Sequence, residues 1–164
     1  MRGSDRTVFL VAALAAIGAV VFTGAVYPDL PDAVPSHFGF SGEADTYASK
    51  SSIWMMPVMM GILIVVLFVV ALFNTNTTKD GKELSDEGHR TIIGHMRRLL
   101  GILAVLMAIF AWEAVLIISG TIGSPGVILT LTGMIPIVIV IAYSMRMYRV
   151  MKQDPGIRDQ SPIL

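Results

Sequence analysis

Four long apolar runs divide the chain, and the segments between them are polar. The runs cover residues 8–26, 53–73, 99–118 and 127–143, and Glu113 is the one charged residue within them. A helix rises about 1.5 Å per residue and the hydrocarbon core of a bilayer is about 30 Å thick, so runs of about 17–25 residues can span it. Lipid offers no partners for open backbone groups, which makes helices the default for such runs. The pattern predicts an all-α integral membrane protein with four transmembrane helices.

Composition supports a bilayer as the environment of the chain. Hydrophobic residues make up 54% of the sequence and charged residues 15%, against about 45–50% and about 25% in an ordinary soluble domain. The low charge density and the formal net charge of zero exclude a disordered chain and a nucleic-acid-binding domain. The absence of cysteine excludes disulfides and thiol chemistry. Lipid is therefore an expected partner and nucleic acid is not.

Lysine and arginine residues flank the runs unevenly. They precede the first run, lie between the second and third, and follow the fourth, whereas the first connection contains only Lys50 and the third connection contains none. Short connections rich in these residues stay on the cytoplasmic side of a membrane. The distribution predicts a multi-pass protein of the cell membrane with its N and C termini in the cytoplasm.

These expectations divide the chain into a transmembrane domain and a tail. The domain is residues 1–147, with spans at about 8–26, 53–73, 99–118 and 127–147, an external cap at 27–52 and a cytoplasmic loop at 74–98; the cytoplasmic tail is 148–164. The fourth span extends to residue 147 because Arg146 can snorkel to the interface. A cleavable signal at residues 1–25 is the alternative, but its apolar core exceeds the usual length of about 7–15 residues, so retention is expected.

The cytoplasmic loop contains the start of the third helix. Ser85 followed by Asp86 and Glu87 is typical of an N-cap with an acidic first turn, so the helix is expected to begin in the cytoplasm and continue into the bilayer. His89 and His95 on this extension lie about 240° apart around a helix and cannot share a metal. Both are expected to be surface histidines. The loop at 74–98 is also a candidate site for a cytoplasmic regulator.

The first connection combines turn-forming and apolar residues. Its prolines fix φ and favour turns and extended chain, and Gly39 and Gly42 allow a tight reversal. The apolar residues here are too many to leave in water; they are Leu30, Val34, Phe38, Phe40 and Tyr47. We expect an ordered extracellular cap loop in which these side chains pack on the outer ends of the helices.

The same connection carries many residues at fixed spacings. They read Leu30-Pro31-Asp32-x-Val34-Pro35-x-His37-Phe38-Gly39-x-x-Gly42-x-x-Asp45-x-Tyr47-x-Ser49-Lys50. This string resembles the hallmark of a prokaryotic membrane domain, the domain of unknown function 1648, which is also found at the start of SdpI-type immunity proteins. The resemblance implies a polytopic protein, and SdpI-type relatives protect bacteria against a secreted toxin and signal to a cytoplasmic repressor. This chain departs from them in having only four predicted spans.

Candidate binding residues follow from the cap motif. They are Pro31, Asp32, Pro35, His37, Phe38, Gly42, Asp45 and Lys50. Among them Asp32, His37 and Asp45 could be read as a metal site, because carboxylates with an imidazole suit divalent ions. However, the second histidine or cysteine typical of zinc is missing, and hydrogen bonds that cap turns explain the same residues. No metal and no cofactor is expected.

Glu113 is unusual because a carboxyl within an apolar span is energetically costly and is a functional-site hypothesis by default. It lies about 9 Å from the outer end of its helix, at a depth similar to that of Thr130 on the fourth helix. A hydrogen bond to a neighbouring helix is the structural alternative. Lys50 is the one basic residue predicted outside, so we hypothesise that its ammonium group approaches Glu113 and docks the cap.

Two functions remain compatible with the sequence. Metalloprotease, serine-hydrolase and phosphate-loop motifs are absent, so no enzyme is expected. The first function is non-enzymatic recognition of an extracellular peptide or toxin-like ligand through the cap, with SdpI-like immunity or signalling. The alternative is a small transporter or ion-conducting subunit that uses Glu113. An ion path needs polar steps on both sides of the midplane, and the predicted inner half has none, which favours the first.

Overall fold

The structure is a computed structural model that describes residues 3–39, 43–73, 85–123 and 126–155, with the backbone alone at residues 4 and 126–131. Four α-helices dominate it: α1 (Gly3–Val26), α2 (Met55–Phe73), α3 (Asp86–Ile118) and α4 (Gly126–Gln153). Within the described ranges, these four helices are long and apolar enough to cross a membrane. The prediction of a mostly helical chain with four such helices is therefore confirmed.

Helix α3 is the central element of the bundle. It packs against α1, α2 and α4, while α4 contacts mainly α3. Small residues on α3, among them Ala104 and Ala108, are buried against Phe9 and Ala12 of α1 and Ile64 of α2. Small side chains let helix backbones approach closely, which is the usual basis of helix packing in membranes.

At the end of the bundle opposite the first connection, α3 and α4 extend beyond the apolar runs. α3 begins at Asp86, because the side chain of Ser85 accepts a hydrogen bond from the Gly88 N–H at 3.1 Å. The predicted N-cap is therefore confirmed. α4 continues to Gln153, so the segment assigned to the tail begins as helix.

A second contact at Ser85 joins the end of α4 to the start of α3. The carboxylate of Asp154 accepts the Ser85 N–H at 2.9 Å through Oδ1 and the Ser85 hydroxyl at 2.6 Å through Oδ2. Asp154 is only 5% exposed. A negative charge at a helix N-terminus is favourable because the backbone N–H groups there carry partial positive charge.

The connection between α1 and α2 is a β-hairpin with a short 3₁₀ helix on each side, at Tyr27–Asp29 and Lys50–Trp54. Its strands β1 (Ala33–Phe38) and β2 (Ala44–Ser49) pair antiparallel, and the register is irregular around His37. The hairpin corrects the expectation of an all-α chain. Its residues show no regular alternation of buried and exposed positions, and that alternation is the signal by which a strand is recognised in a sequence.

Candidate functional site

The hairpin is fixed to the helix bundle by a small apolar cluster. Val34 of β1 and Ile53 are fully buried, and they pack with Leu30 and with Val115 of α3. The predicted packing of Leu30 and Val34 is therefore confirmed. Burial of this size fixes β1 on the end of α3, because each fully buried aliphatic side chain contributes about 1.5–3 kcal/mol.

Two other apolar residues of the cap do not pack as predicted. Tyr47 of β2 is 61% exposed, and Phe38 is only half-buried at the end of β1 that lies away from the helices. The prediction is wrong for Tyr47 because β1 lies between β2 and the helices. It is wrong for Phe38 because β1 is anchored at Val34, near the opposite end of the strand. Phe40 and Gly42 lie outside the described residues.

Lys50 closes the base of the hairpin. Its backbone N–H donates to the Asp32 carbonyl at 2.9 Å, and its Nζ lies 3.9 Å from Asp32 Oδ1 and 5.3 Å from the centroid of the Tyr27 ring. The Asp32 side chain is fully exposed, so water and salt screen this ion pair and it contributes little to stability. The Lys50 ammonium group lies beside Asp32 and Tyr27, and the hypothesised contact between Lys50 and Glu113 is not formed.

At the tip of the hairpin, His37 and Asp45 form a pair across the two strands. His37 Nδ1 lies 2.7 Å from Asp45 Oδ1, to which the Thr46 hydroxyl also donates at 3.2 Å. The hydrogen bond with His37 holds the pKa of Asp45 below its usual value. Both side chains are more than half exposed, so solvent and salt screen the attraction between them.

The three metal candidates of the cap are not brought together. Asp32 precedes His37 by five residues of extended chain, which corresponds to about 16 Å, while Asp45 lies beside His37. Among the described residues there is no group of three or more side chains of the types that bind metal ions. The pair at the tip is better explained by its contact across the strands.

The two edges of the hairpin differ in their open backbone groups. Lys50 and Asp32 oppose each other as a hydrogen-bonded pair, because the Lys50 N–H donates to the Asp32 carbonyl. In an antiparallel sheet such pairs alternate with pairs whose N–H and C=O groups point away from the partner strand. Pro35 and Tyr47 oppose each other at an outward-pointing position. Proline has no N–H, which blunts the outer edge of β1. Ala33 of β1 keeps its outward N–H, but β1 is the strand that contacts the helices. Tyr47 and Ser49 of β2 keep theirs, and the sheet has two strands in the described part of the chain, so β2 is the open edge.

Glu113 lies between α3 and α4. The Thr132 hydroxyl donates to its Oε1 at 3.0 Å, whereas Oε2 is buried and has no hydrogen-bond partner within the described residues. This arrangement matches the structural alternative, a hydrogen bond between neighbouring helices. The sequence predicts Thr130 at the same depth, and its side chain lies outside the described set. A buried oxygen without a partner is costly, so Glu113 still requires an explanation.

His95 lies on the same face of α3 as Glu113, because eighteen residues complete five helical turns. Its Nδ1 lies 2.8 Å from the Thr91 carbonyl, which can only accept, so Nδ1 carries a proton. Its ring contacts Tyr143 of α4 at 6.4 Å between centroids, and Nε2 is buried and unpartnered within the described residues. The prediction of a surface histidine is wrong for His95. The eighteen-residue spacing between His95 and Glu113 is the signal in the sequence that places both residues on one face of α3.

Comparison with known proteins gives one match. No curated protein and no solved structure matches the chain. The family model described as Domain of unknown function (DUF1648) matches residues 14–61, which include the second half of α1, the hairpin and the first part of α2. The resemblance of the cap motif to this domain is thereby confirmed, whereas the link to SdpI-type proteins stays a prediction. The chain therefore contains this domain of unknown function, and the hairpin lies at the centre of the matched segment.

Proposed function

We propose that this chain is a non-enzymatic integral membrane protein that recognises an extracellular peptide through its hairpin. Membrane insertion is supported by the large apolar side chains exposed along the helices, such as Leu14 of α1, Ile62 of α2 and Val138 of α4. An apolar surface of this extent is unfavourable in water. Among the described residues, the lysines and arginines apart from Lys50 lie at the end of the bundle opposite the hairpin. In the sequence, the remaining ones precede the first apolar run or follow the second and the fourth. This distribution favours a cell-membrane protein with cytoplasmic termini and an external hairpin.

The orientation can be tested with single cysteines, because the chain contains none of its own. A cysteine at Gly123 or Ser41 is expected to react with a membrane-impermeant maleimide in intact cells. A cysteine at Thr78 is expected to react only after the cells are permeabilised. Labelling at Thr78 in intact cells would contradict the proposed orientation.

The open edge of β2 is the observation that carries the recognition proposal. An extended peptide can add to such an edge as a further strand, with affinity from main-chain hydrogen bonds and selectivity from nearby side chains. The exposed side chains of Tyr47 and Thr46 lie on this strand, and β1 holds it in place on the bundle. The resemblance to SdpI-type proteins suggests a toxin-like peptide and a role in immunity or signalling, with a cytoplasmic regulator at residues 74–98.

Replacement of Tyr47 by proline tests main-chain recognition. A phage-displayed library of short peptides is selected against the wild-type protein in lipid nanodiscs, and the affinities of the selected peptides are then measured. Tyr47→Pro removes the outward N–H and is expected to weaken binding about tenfold or more, since a lost hydrogen bond with an unpaired partner costs about 1–3 kcal/mol.

The matched control is Tyr47→Ala, which removes the same side chain but keeps the N–H. If the alanine and proline variants bind equally, the main chain of β2 is not the recognition element. If no peptide selected for wild-type binding requires the hairpin, the proposal itself fails. The unfolding temperature of both variants shows whether the fold is retained.

A transporter or ion-conducting subunit is the second candidate, and His95 is the observation that favours it. Glu113 Oε2 and His95 Nε2 are two buried polar atoms without hydrogen-bond partners among the described residues, and they lie towards opposite ends of the α3–α4 interface. A conduction path needs such steps on both sides of the midplane. Proteoliposomes containing a pH-sensitive dye should show proton flux that Glu113→Gln abolishes and the exposed-site control Glu87→Gln preserves. Flux equal to that of empty vesicles would exclude proton conduction.

A further inference from the structure

A groove separates α1 from α2 at the end of the bundle opposite the hairpin. It has a volume of about 450 Å³ and includes among its lining residues Arg6, Phe9 and Ala13 of α1 with Ile64, Val65 and Phe68 of α2. Pockets of about 300–1,000 Å³ are typical of small-molecule sites. The groove is therefore large enough to hold part of a ligand.

The lining of the groove has an apolar floor and a cationic rim. Phe9 and Ile64 are 3% exposed, and the ring of Phe9 meets that of Phe68 edge to face at 5.3 Å. Arg6 lies one turn closer to the start of α1, next to the apolar run. It forms no ion pair within the described residues, and the neighbouring acid, Asp5, is not among the lining residues. The site thus offers an uncompensated guanidinium beside an apolar surface.

From this combination we infer that the groove binds an anionic phospholipid. A guanidinium group forms strong, often bidentate hydrogen bonds with phosphate, and its positive charge favours a headgroup with a net negative charge over a zwitterionic one. The apolar floor matches an acyl chain. Arg6 flanks the first apolar run, which is where the headgroups of a bilayer would lie. Soluble phosphate compounds would form hydrogen bonds with Arg6 but would leave the apolar floor of the groove uncovered. The inference rests on the proposed membrane insertion, and it is independent of peptide recognition by the hairpin.

Thermal unfolding in a neutral detergent tests this inference. Phosphatidylglycerol is expected to raise the unfolding temperature by several degrees, and more than phosphatidylcholine with the same acyl chains, because a ligand that binds the folded state stabilises it. Arg6→Gln should remove the difference between the two lipids. Arg149→Gln, an exposed position on α4 away from the groove, should preserve it. Glycerol phosphate alone should produce no shift.

The acyl-chain part of the site is tested by filling the groove. Ala13→Trp should abolish stabilisation by both lipids. Val65→Trp should have the same effect from the opposite wall, and because Val65 is exposed, this variant is useful if Ala13→Trp fails to fold. A preference for phosphatidylglycerol that survives Arg6→Gln, or that survives both tryptophan variants, would overturn the inference. Extraction of the wild-type chain from membranes by alkaline carbonate would instead contradict membrane insertion, so the two failures are distinguishable.

Discussion

Ile53→Ala is expected to lower the free energy of unfolding by about 2–5 kcal/mol, the range for emptying a buried aliphatic site. Ile53 is completely buried between Leu30, Val34 and Val115, so its truncation leaves a cavity where the hairpin meets the bundle. The loss should appear in thermal unfolding in detergent and in faster proteolysis of residues 27–52.

The matched control for Ile53 is Val58→Ala, a truncation on the exposed surface of α2 close in sequence. In detergent the micelle covers this position in the wild-type protein and in Val58→Ala alike. We therefore expect the free energy of unfolding to change by well below 1 kcal/mol. Phe38→Ala is a second comparison within the hairpin, and its half-buried ring should make it less costly than Ile53→Ala. Equal losses at Ile53 and Val58 would contradict the proposed role of the buried cluster.

The contact between Asp154 and Ser85 predicts that the effect of Gly88→Ala on stability depends on Asp154. A Cβ atom built on Gly88 would overlap the carboxylate of Asp154, so Gly88→Ala should destabilise the wild-type protein. Asp154→Ala should itself cost about 1–3 kcal/mol, because it leaves the Ser85 N–H without its acceptor. In the Asp154→Ala background this overlap is removed and the Ser85 hydroxyl oxygen, 3.2 Å from the added Cβ, is the close neighbour that remains. The loss caused by Gly88→Ala should therefore be much smaller there, since alanine is also the better helix former.

Gly94 provides the control for this double-mutant cycle. It lies on α3 with no neighbouring atom near the position of an added Cβ, so Gly94→Ala should have the same effect in both backgrounds. Unfolding temperatures of the single and double variants give the coupling energy. If Gly88→Ala has the same effect with and without Asp154, the two residues are not in contact.

The helices could be predicted because their signals are local. A continuous apolar run gives the length of a helix, and Ser85 followed by two acids gives the start of α3. The anchors Leu30 and Val34 could be predicted because they are the aliphatic residues in a segment rich in turn formers. In each case, the residues that determine the structure are close together in the sequence.

The remaining features depend on contacts between distant segments. Asp154 meets Ser85 across 69 residues of sequence, and no pattern near either residue indicates the other. The sequence suggests pairing Lys50 with Glu113 because both charges are unusual, whereas the structure pairs Lys50 with Asp32 across the base of the hairpin. The hairpin itself requires knowledge of which strand faces the bundle, and that is decided by packing against Val115 of α3.

The attachment of the hairpin limits how α1 and α2 can move relative to each other. Antiparallel pairing holds its strands about 4.8 Å apart, and each strand leads to its helix through a short 3₁₀ segment. We therefore expect changes in the angle between the two helices to pivot about the hairpin. α1 has 24 residues and is about 36 Å long, so a tilt of about 5° would displace its distant end by about 3 Å. In such a motion, the end of α1 beside Arg6 would move further than the end attached to the hairpin.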